Sequence, residues 1–162
     1  MKNTESLISV KDKYNQLNIK ANIIYKFVTT YNDYIKKPHD YGTGETINMA
    51  EVHILTLIEE NPGITVTEVA LEWNRTKGAI SQTITKLENR GLIKRKKENN
   101  DAKSIHLYAT EKGITLSQAH KTYDIKELTS TNEILSESFT LNQIDIFYKI
   151  MNQYTELLIK KD

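Results

Sequence analysis

Apolar side chains fall at Tyr14, Leu17, Ala21, Ile24, Val28, Tyr31 and Ile35. That alternation of threes and fours lays one stripe along a long helix. Pro38, Gly42 and Gly44 in "KKPHDYGTGET" break it. A second helix is predicted from Asn48, with Glu51 three residues on as a capping box, to Glu60, where "NPG" stops it. Thr65 and Glu68 form another capping box and open a short helix through Trp73. Asn74 and Arg75 make a tight turn, since asparagine tolerates left-handed backbone. The next helix runs from Thr76 to Arg90, with Ile80, Ile84 and Leu87 on its core face and Gly91 closing it. "LIKRKK" and "SIHLYA" read as two short strands around the polar loop "ENNDAK" (98–103), with Ile105, Leu107 and Ala109 alternating inward. Helix returns from Glu111 to about Ser136, and Thr140 with Gln143 caps a last helix reaching about Lys160. That last helix is apolar on two faces, Ile144, Tyr148, Met151 and Leu158 on one, Phe147, Ile150, Tyr154 and Leu157 on the other. Two such faces need two things to bury against, the protein's own core and a second subunit.

The order helix, helix, turn, helix, hairpin defines the expected fold class. It is mainly α with a small β-hairpin wing, a winged helix-turn-helix core flanked by long N- and C-terminal dimerisation helices. Three parts are expected: an N-terminal dimerisation helix and connecting loop (1–47), a DNA-binding lobe (48–110) and C-terminal dimerisation helices (111–162). The 162 residues suit one domain with helical arms. No apolar run is long enough to span a membrane, and "MKNTESLISVKDKYNQ" lacks the features of a signal peptide. Cysteine is absent, which removes disulfides, thiolate metal sites and thiol redox chemistry. A cytoplasmic protein is expected.

Charge sharpens the picture through its distribution. From Arg75 to Lys103 nine Lys or Arg face three acids, a local balance of +6 in a chain of net +1, so the remainder carries −5. A localised anionic partner follows. The helix that opens this segment presents Lys77, Gly78, Ser81, Gln82, Thr85 and Lys86 opposite its core face, with nothing bulky among them. A helix entering the major groove, about 12 Å wide, needs such a face. Gly78 and Ala79 allow close approach, Ser81 bonds either kind of base, and Gln82 can bond adenine bidentately. Lys77 reaches guanine or phosphate. Thr85, Lys86, Arg95 and Lys103 are expected on phosphate or the minor groove, and Thr65, Thr76, Lys97 and Asp101 complete the candidate DNA surface. Double-stranded DNA is therefore the expected partner. The bland alternative for the Lys-rich hairpin is a solvated edge that resists aggregation. A protein-binding winged helix would show an apolar or acidic recognition face, and none is seen. An enzyme is not expected, for there is no Gly-rich phosphate loop, cysteine or close histidine pair. Trp73 reads as core, and the tyrosines of the first and last helices as interface packing.

"EVHILTLIEENPGITVTEVALEWNRTKGAISQTITKLENRGLIKRKK" followed by "IHLYATEKG" resembles the core of the MarR family of bacterial transcription regulators. The likeness includes the K-L-E-x-R-G-L-I that closes the recognition helix and the T-E-K-G after the wing. It implies a two-fold dimer joined through the terminal helices, a palindromic operator, and repression relieved by a ligand. Two features depart from the family pattern, one in the wing and one in the turn before the recognition helix. The wing commonly reads Asp-x-Arg-Asp-x-Arg, whereas Asn100 and Lys103 stand here in place of the two arginines. Lysine lacks arginine's fork geometry, which suits Lys103 to phosphate and weakens the case for minor-groove reading. Arg75 occupies a turn position that is commonly apolar.

The signal is read from four histidines, His39, His53, His106 and His120. His120 and Asp124 stand at i and i+4, and His53 on a neighbouring helix could join them as a zinc site. The zinc-responsive branch of the family resembles this, with a histidine before "I-L" in the second helix and a histidine followed four residues later by another ligand after the wing. His39 or Asp40 is the best candidate for a fourth ligand. The competing effector is an aromatic acid in the cleft between the dimer helices and the DNA-binding lobe, lined by Tyr25 or Tyr31. The bland reading makes His53 a hydrogen-bonded core residue and leaves His120 on the surface.

Overall fold

The computed structural model describes residues 9–98 and 101–160, and for residues 98 and 101–103 the backbone alone. Among these, α1 (Val10–Lys36) leads through a hairpin of β1 (Pro38–Asp40) and β2 (Thr46–Asn48) into α2 (Met49–Glu60), α3 (Val66–Glu72) and α4 (Lys77–Asn89). The wing of β3 (Ile93–Glu98) and β4 (Asp101–Ala109) follows, then α5 (Glu111–Ser136) and α6 (Leu141–Ile159). The chain is mainly helical with a small hairpin wing, the expected class.

Local signals place most helix ends. Thr65 and Glu68 exchange bonds in a complete capping box, Thr65 N–H donating to Glu68 Oε2 at 2.7 Å, and Thr140 and Gln143 do the same. At Asn48 only half the box forms. Its side chain accepts the Glu51 amide at 2.9 Å, while the Glu51 carboxylate turns instead toward Lys86 and Arg90. Asn74 takes the left-handed turn conformation at φ +46°. Helix α4 closes in a Schellman motif. Gly91 at φ +68° donates to Glu88 O at 2.8 Å, and Leu92 N–H reaches back to Leu87 O at 3.0 Å. Leu87 and Leu92 are both fully buried, which supplies the apolar contact that usually accompanies such a closure.

One core unites the lobe. Val52, Leu55 and Ile58 of α2 meet Val69 of α3, Ile80, Ile84 and Leu87 of α4, Leu92 and Leu107 of the wing, and Leu116 of α5. Each such side chain stabilises the fold by about 1.5–3 kcal/mol relative to exposure. Tyr41 and Ile47 join from the segment expected to be a plain loop. That segment holds the β1–β2 ladder, with His39 opposite Ile47, and Asp40 Oδ1 accepts the Gly42 amide at 2.8 Å at its turn.

The wing departs from expectation in two ways. Its strands extend into the expected 98–103 loop, taking Glu98 on one side and Asp101 onward on the other, with an irregularity between Lys97 and Glu98. Ile105 was expected to face inward but is 43% exposed, because the core ends at Leu107. On its other edge β4 pairs with residues 63–65: Gly63 N–H donates to Leu107 O at 2.9 Å and Leu107 N–H to Ile64 O at 3.0 Å. The terminal helices lie apart from this core. No α1 residue is buried, and of α6 only Ile144 is.

Candidate nucleic-acid interface

The outer face of α4 is set by its inner one. Ile80, Ile84 and Leu87 are buried, so Lys77, Gly78, Ala79, Ser81 and Gln82 point outward and are exposed. A side chain added at Gly78 would meet nothing within 4 Å. Gly78, Ser81, Gln82, Thr85 and Lys86 line one shallow open groove. Thr76 and Thr65 begin α4 and α3, where their hydroxyls accept the Ala79 and Glu68 amides at 3.3 Å. Lys97 is exposed on β3. The side chains of Asp101 and Lys103 lie outside the described residues.

Three of the expected phosphate contacts already have partners within the protein. The Thr85 hydroxyl donates to Ser81 O at 2.9 Å and accepts from Arg95 Nη2 at 3.0 Å. Its single proton is therefore committed, and only a lone pair is left to offer. Arg95 Nη1 also lies 3.0 Å from Glu88 Oε2, and Lys86 Nζ lies 3.5 Å from Glu51 Oε1.

An ion network behind α4 carried no signal in the sequence. Arg90 donates to Glu45 Oε2 at 2.7 Å and to Thr46 O at 2.9 Å, and Lys112 lies 2.6 Å from Glu45 Oε1. Hydrogen bonds from Arg90 and Lys112 pull the Glu45 carboxyl down to about 2. These partners lie far apart along the chain, and nothing in local spacing pairs them.

A second constellation sits between α2 and α5. His53 Nε2 and His120 Nε2 converge on Asp124 Oδ2, at 3.9 and 3.2 Å, and the two imidazoles meet edge to face at 4.6 Å between centroids. One ligand atom from each of the three residues falls within 4.8 Å of the others. His120 is 1% exposed, so the bland reading is reversed: His120 is the buried histidine, and His53 is half-exposed against Trp73. Trp73 itself is only partly buried, packed against the core edge. Burial pushes the His120 imidazole below its ordinary range, with His53 and Lys121 acting the same way and Asp124 opposing, which favours the neutral ring. Among the described residues, its Nδ1 is buried without a partner. Among the described residues neither His39 nor Asp40 joins the group as a fourth ligand. His39 packs among Tyr34, Tyr41 and Tyr123, and the Asp40 carboxylate is engaged at the hairpin turn. Tyr25 is largely exposed, and Tyr31 stacks on Phe27 along α1 at 5.8 Å.

A match to the MarR family covers residues 47–105, from β2 into the wing. The chain is 31% identical over 87 residues to the uncharacterized HTH-type transcriptional regulator YhjH of Bacillus subtilis, a stretch that is 54% of this chain and 50% of that protein. It thus spans about half the length of that relative. It is 25% identical over 146 residues to the transcriptional regulator ZitR of Lactococcus lactis, 87% of this chain and 97% of that protein. The solved structure of wild-type ZitR in complex with DNA superposes with a TM-score of 0.63 at 25% identity, covering 85% of this chain and 97% of that one. Another ZitR structure is described as that of a zinc-responsive MarR family member. Streptococcus pneumoniae FabT in complex with DNA shares the fold at a TM-score of 0.64 and 21% identity, over 92% of this chain and 99% of that one.

Proposed function

We propose that this chain, whose residues 47–105 match the MarR family, is a transcription regulator of that family that binds a palindromic operator as a homodimer and represses until a small ligand releases it. The observation that carries the reading is the outer face of α4, where Lys77, Ser81 and Gln82 stand exposed beside an open Gly78. Ser81 and Gln82 are the base readers, with Lys77 on guanine or phosphate. Lys97 and Lys103 supply wing contacts to the backbone. The dimer rests on the uncovered apolar stripes of α1 and α6, which include Ile24, Val28, Phe147, Ile150 and Leu157. Large exposed apolar surface of this kind marks an interface. Two-fold symmetry then places the half-sites about one helical turn apart or a multiple of it. The test is fluorescence anisotropy with duplexes from the DNA upstream of the protein's own gene, against scrambled duplexes. Gln82→Ala should reduce discrimination by about 1–3 kcal/mol at one base position per half-site. An unchanged ratio of operator to scrambled binding would remove α4 as the reading helix.

The histidine cluster favours a second reading, in which the releasing or modulating signal is zinc. Tetrahedral ligands at about 2.0–2.1 Å from zinc stand about 3.3 Å apart, close to the His120–Asp124 separation of 3.2 Å and below the His53–Asp124 separation of 3.9 Å. His53, His120 and Asp124 would hold the ion, and the neutral His120 ring suits it. The partnerless Nδ1 of His120 departs from the usual pattern, in which the second ring nitrogen of a ligand histidine donates to an acceptor. Bound zinc would cross-link α2 to α5. Operator affinity with and without zinc over a chelator decides the matter. No change in either the wild type or His120→Ala leaves the histidines as packing residues.

A further inference from the structure

The wing is fastened on two sides by different means. β4 is held by backbone pairing with residues 63–65. β3 has a free outer edge, and among the described residues its polar ties to the recognition helix come from Arg95. One nitrogen of the guanidinium takes Thr85 Oγ1 at 3.0 Å and the other Glu88 Oε2 at 3.0 Å, so the planar fork spans one turn of α4. Thr85 has no proton left for a phosphate, because its proton goes to Ser81 O and its oxygen already accepts from Arg95. Glu88 neutralises the guanidinium. Arg95 lies opposite Leu107, the last fully buried residue of β4, so the brace acts where the core ends and the projecting part of the wing begins. Lys97, two residues further out, shares its face of the strand.

We propose that Arg95 is a positioning residue rather than a phosphate contact: it clamps β3 to Thr85 and Glu88 and so fixes the angle at which the wing, and Lys97 with it, meets the DNA backbone beside the recognition helix. This rests on the DNA-binding reading above. The alternative makes Arg95 a direct phosphate ligand that Glu88 restrains.

The two accounts differ in sign at Glu88. A clamp needs an acceptor there, so Glu88→Ala should weaken operator binding about three- to tenfold although it removes a negative charge near DNA. Glu88→Gln, which keeps an oxygen able to accept from Arg95 where Glu88 Oε2 now forms the ion pair, should bind nearly as the wild type does. If Arg95 grips phosphate, both Glu88 variants bind more tightly than the wild type. Arg95→Lys keeps the charge but cannot span both partners, so the clamp requires it to behave like Arg95→Ala. A lysine variant at wild-type affinity overturns the proposal. The double variant Arg95→Ala/Glu88→Ala should lose no more than either single one. Amide exchange of the wing in the free protein reads the clamp without DNA. Exchange at Lys94–Lys97 should quicken in Arg95→Ala and Glu88→Ala and stay at the wild-type rate in Glu88→Gln. Unchanged exchange in all three refutes the clamp even if no duplex is bound, while quickened exchange in a protein that binds no duplex leaves the clamp standing and refutes the DNA reading.

Discussion

The same substitution should have opposite effects at two helical glycines, Gly113 and Gly78. Gly113 lies in the first turn of α5, where the helix passes over the Leu92 carbonyl. A Cβ built there falls deep inside contact with Leu92 O, 3.0 Å from Leu92 C and 3.2 Å from Leu55 Cδ1. The obstacle is backbone, so no side-chain rotation relieves it. The Leu92 carbonyl also accepts the Thr110 amide at 3.0 Å and the Thr110 hydroxyl at 3.2 Å. Alanine is favoured over glycine in a helix by about 1 kcal/mol. Overpacking costs about 1–3 kcal/mol, and weakening the two bonds to Leu92 O adds about 0.5–1.5 kcal/mol each. Gly113→Ala should therefore lose about 1–5 kcal/mol net, or roughly 2–20 °C in Tm for a chain of this length. Gly78→Ala meets open space and should gain up to about 1 kcal/mol in stability, while its methyl group stands on the face that approaches DNA and weakens binding. Thermal unfolding of both variants at one protein concentration, with operator anisotropy alongside, makes the comparison. A Gly113→Ala protein as stable as the wild type would refute the close approach of α5 to the start of the wing.

Three further outcomes are expected. The Glu45 carboxyl, at about 2 in the folded protein against an ordinary 4.5, contributes stability that is complete above the unfolded value and lost as pH falls through the folded one. Glu45→Gln should accordingly flatten the acid limb of the stability–pH curve between about pH 5 and 2, and an unaltered limb would contradict the Arg90 and Lys112 pairing. Ile150→Glu, which places a charge on the exposed apolar face of α6, should dissociate or unfold the protein in sedimentation velocity; a dimer of wild-type strength would exclude that face from the interface. Thr140→Ala removes the reciprocal capping box of α6 and should cost about 1 kcal/mol in chemical denaturation, with no effect expected from Thr155→Ala on the body of that helix beyond a few tenths.

What the sequence made legible was local. Capping boxes at Thr65 and Thr140, the left-handed Asn74 and the Gly91 closure each depend on residues within one turn of one another, and each is found in place. The exposed face of α4 was legible because the helix has a clean apolar stripe to define its opposite. Where a side chain had a choice of distant partners, spacing was silent. Glu51 satisfies a box by pattern yet is drawn to Lys86 and Arg90. Glu45 gives no hint of Arg90, since neighbouring charges in the chain do not encode a pair brought together by folding. The β1–β2 strands are three residues each, too short to show a period between a proline and two glycines. His120 and Asp124 were legible as a pair through i, i+4 geometry, but the approach of His53 and the relative burial of the two histidines depend on how α5 lies across α2, which no local rule gives.

The length of α5 has a mechanical consequence. Its 26 residues run without interruption from the Leu92 carbonyl, past buried His120, to the exposed apolar side chains at Leu128 and Ile134. At 1.5 Å per residue such a shaft is about 39 Å long, so a tilt of about 5° at one end carries the other through about 3.4 Å. That displacement equals the rise of roughly one base-pair step along a DNA strand. In a two-fold pair joined at the far ends of these shafts, the separation of the reading heads is geared to very small rotations at the joint. In the proposed homodimer, a signal would need only to tip α5 by that much near its midpoint to move the two α4 helices in or out of step with successive grooves.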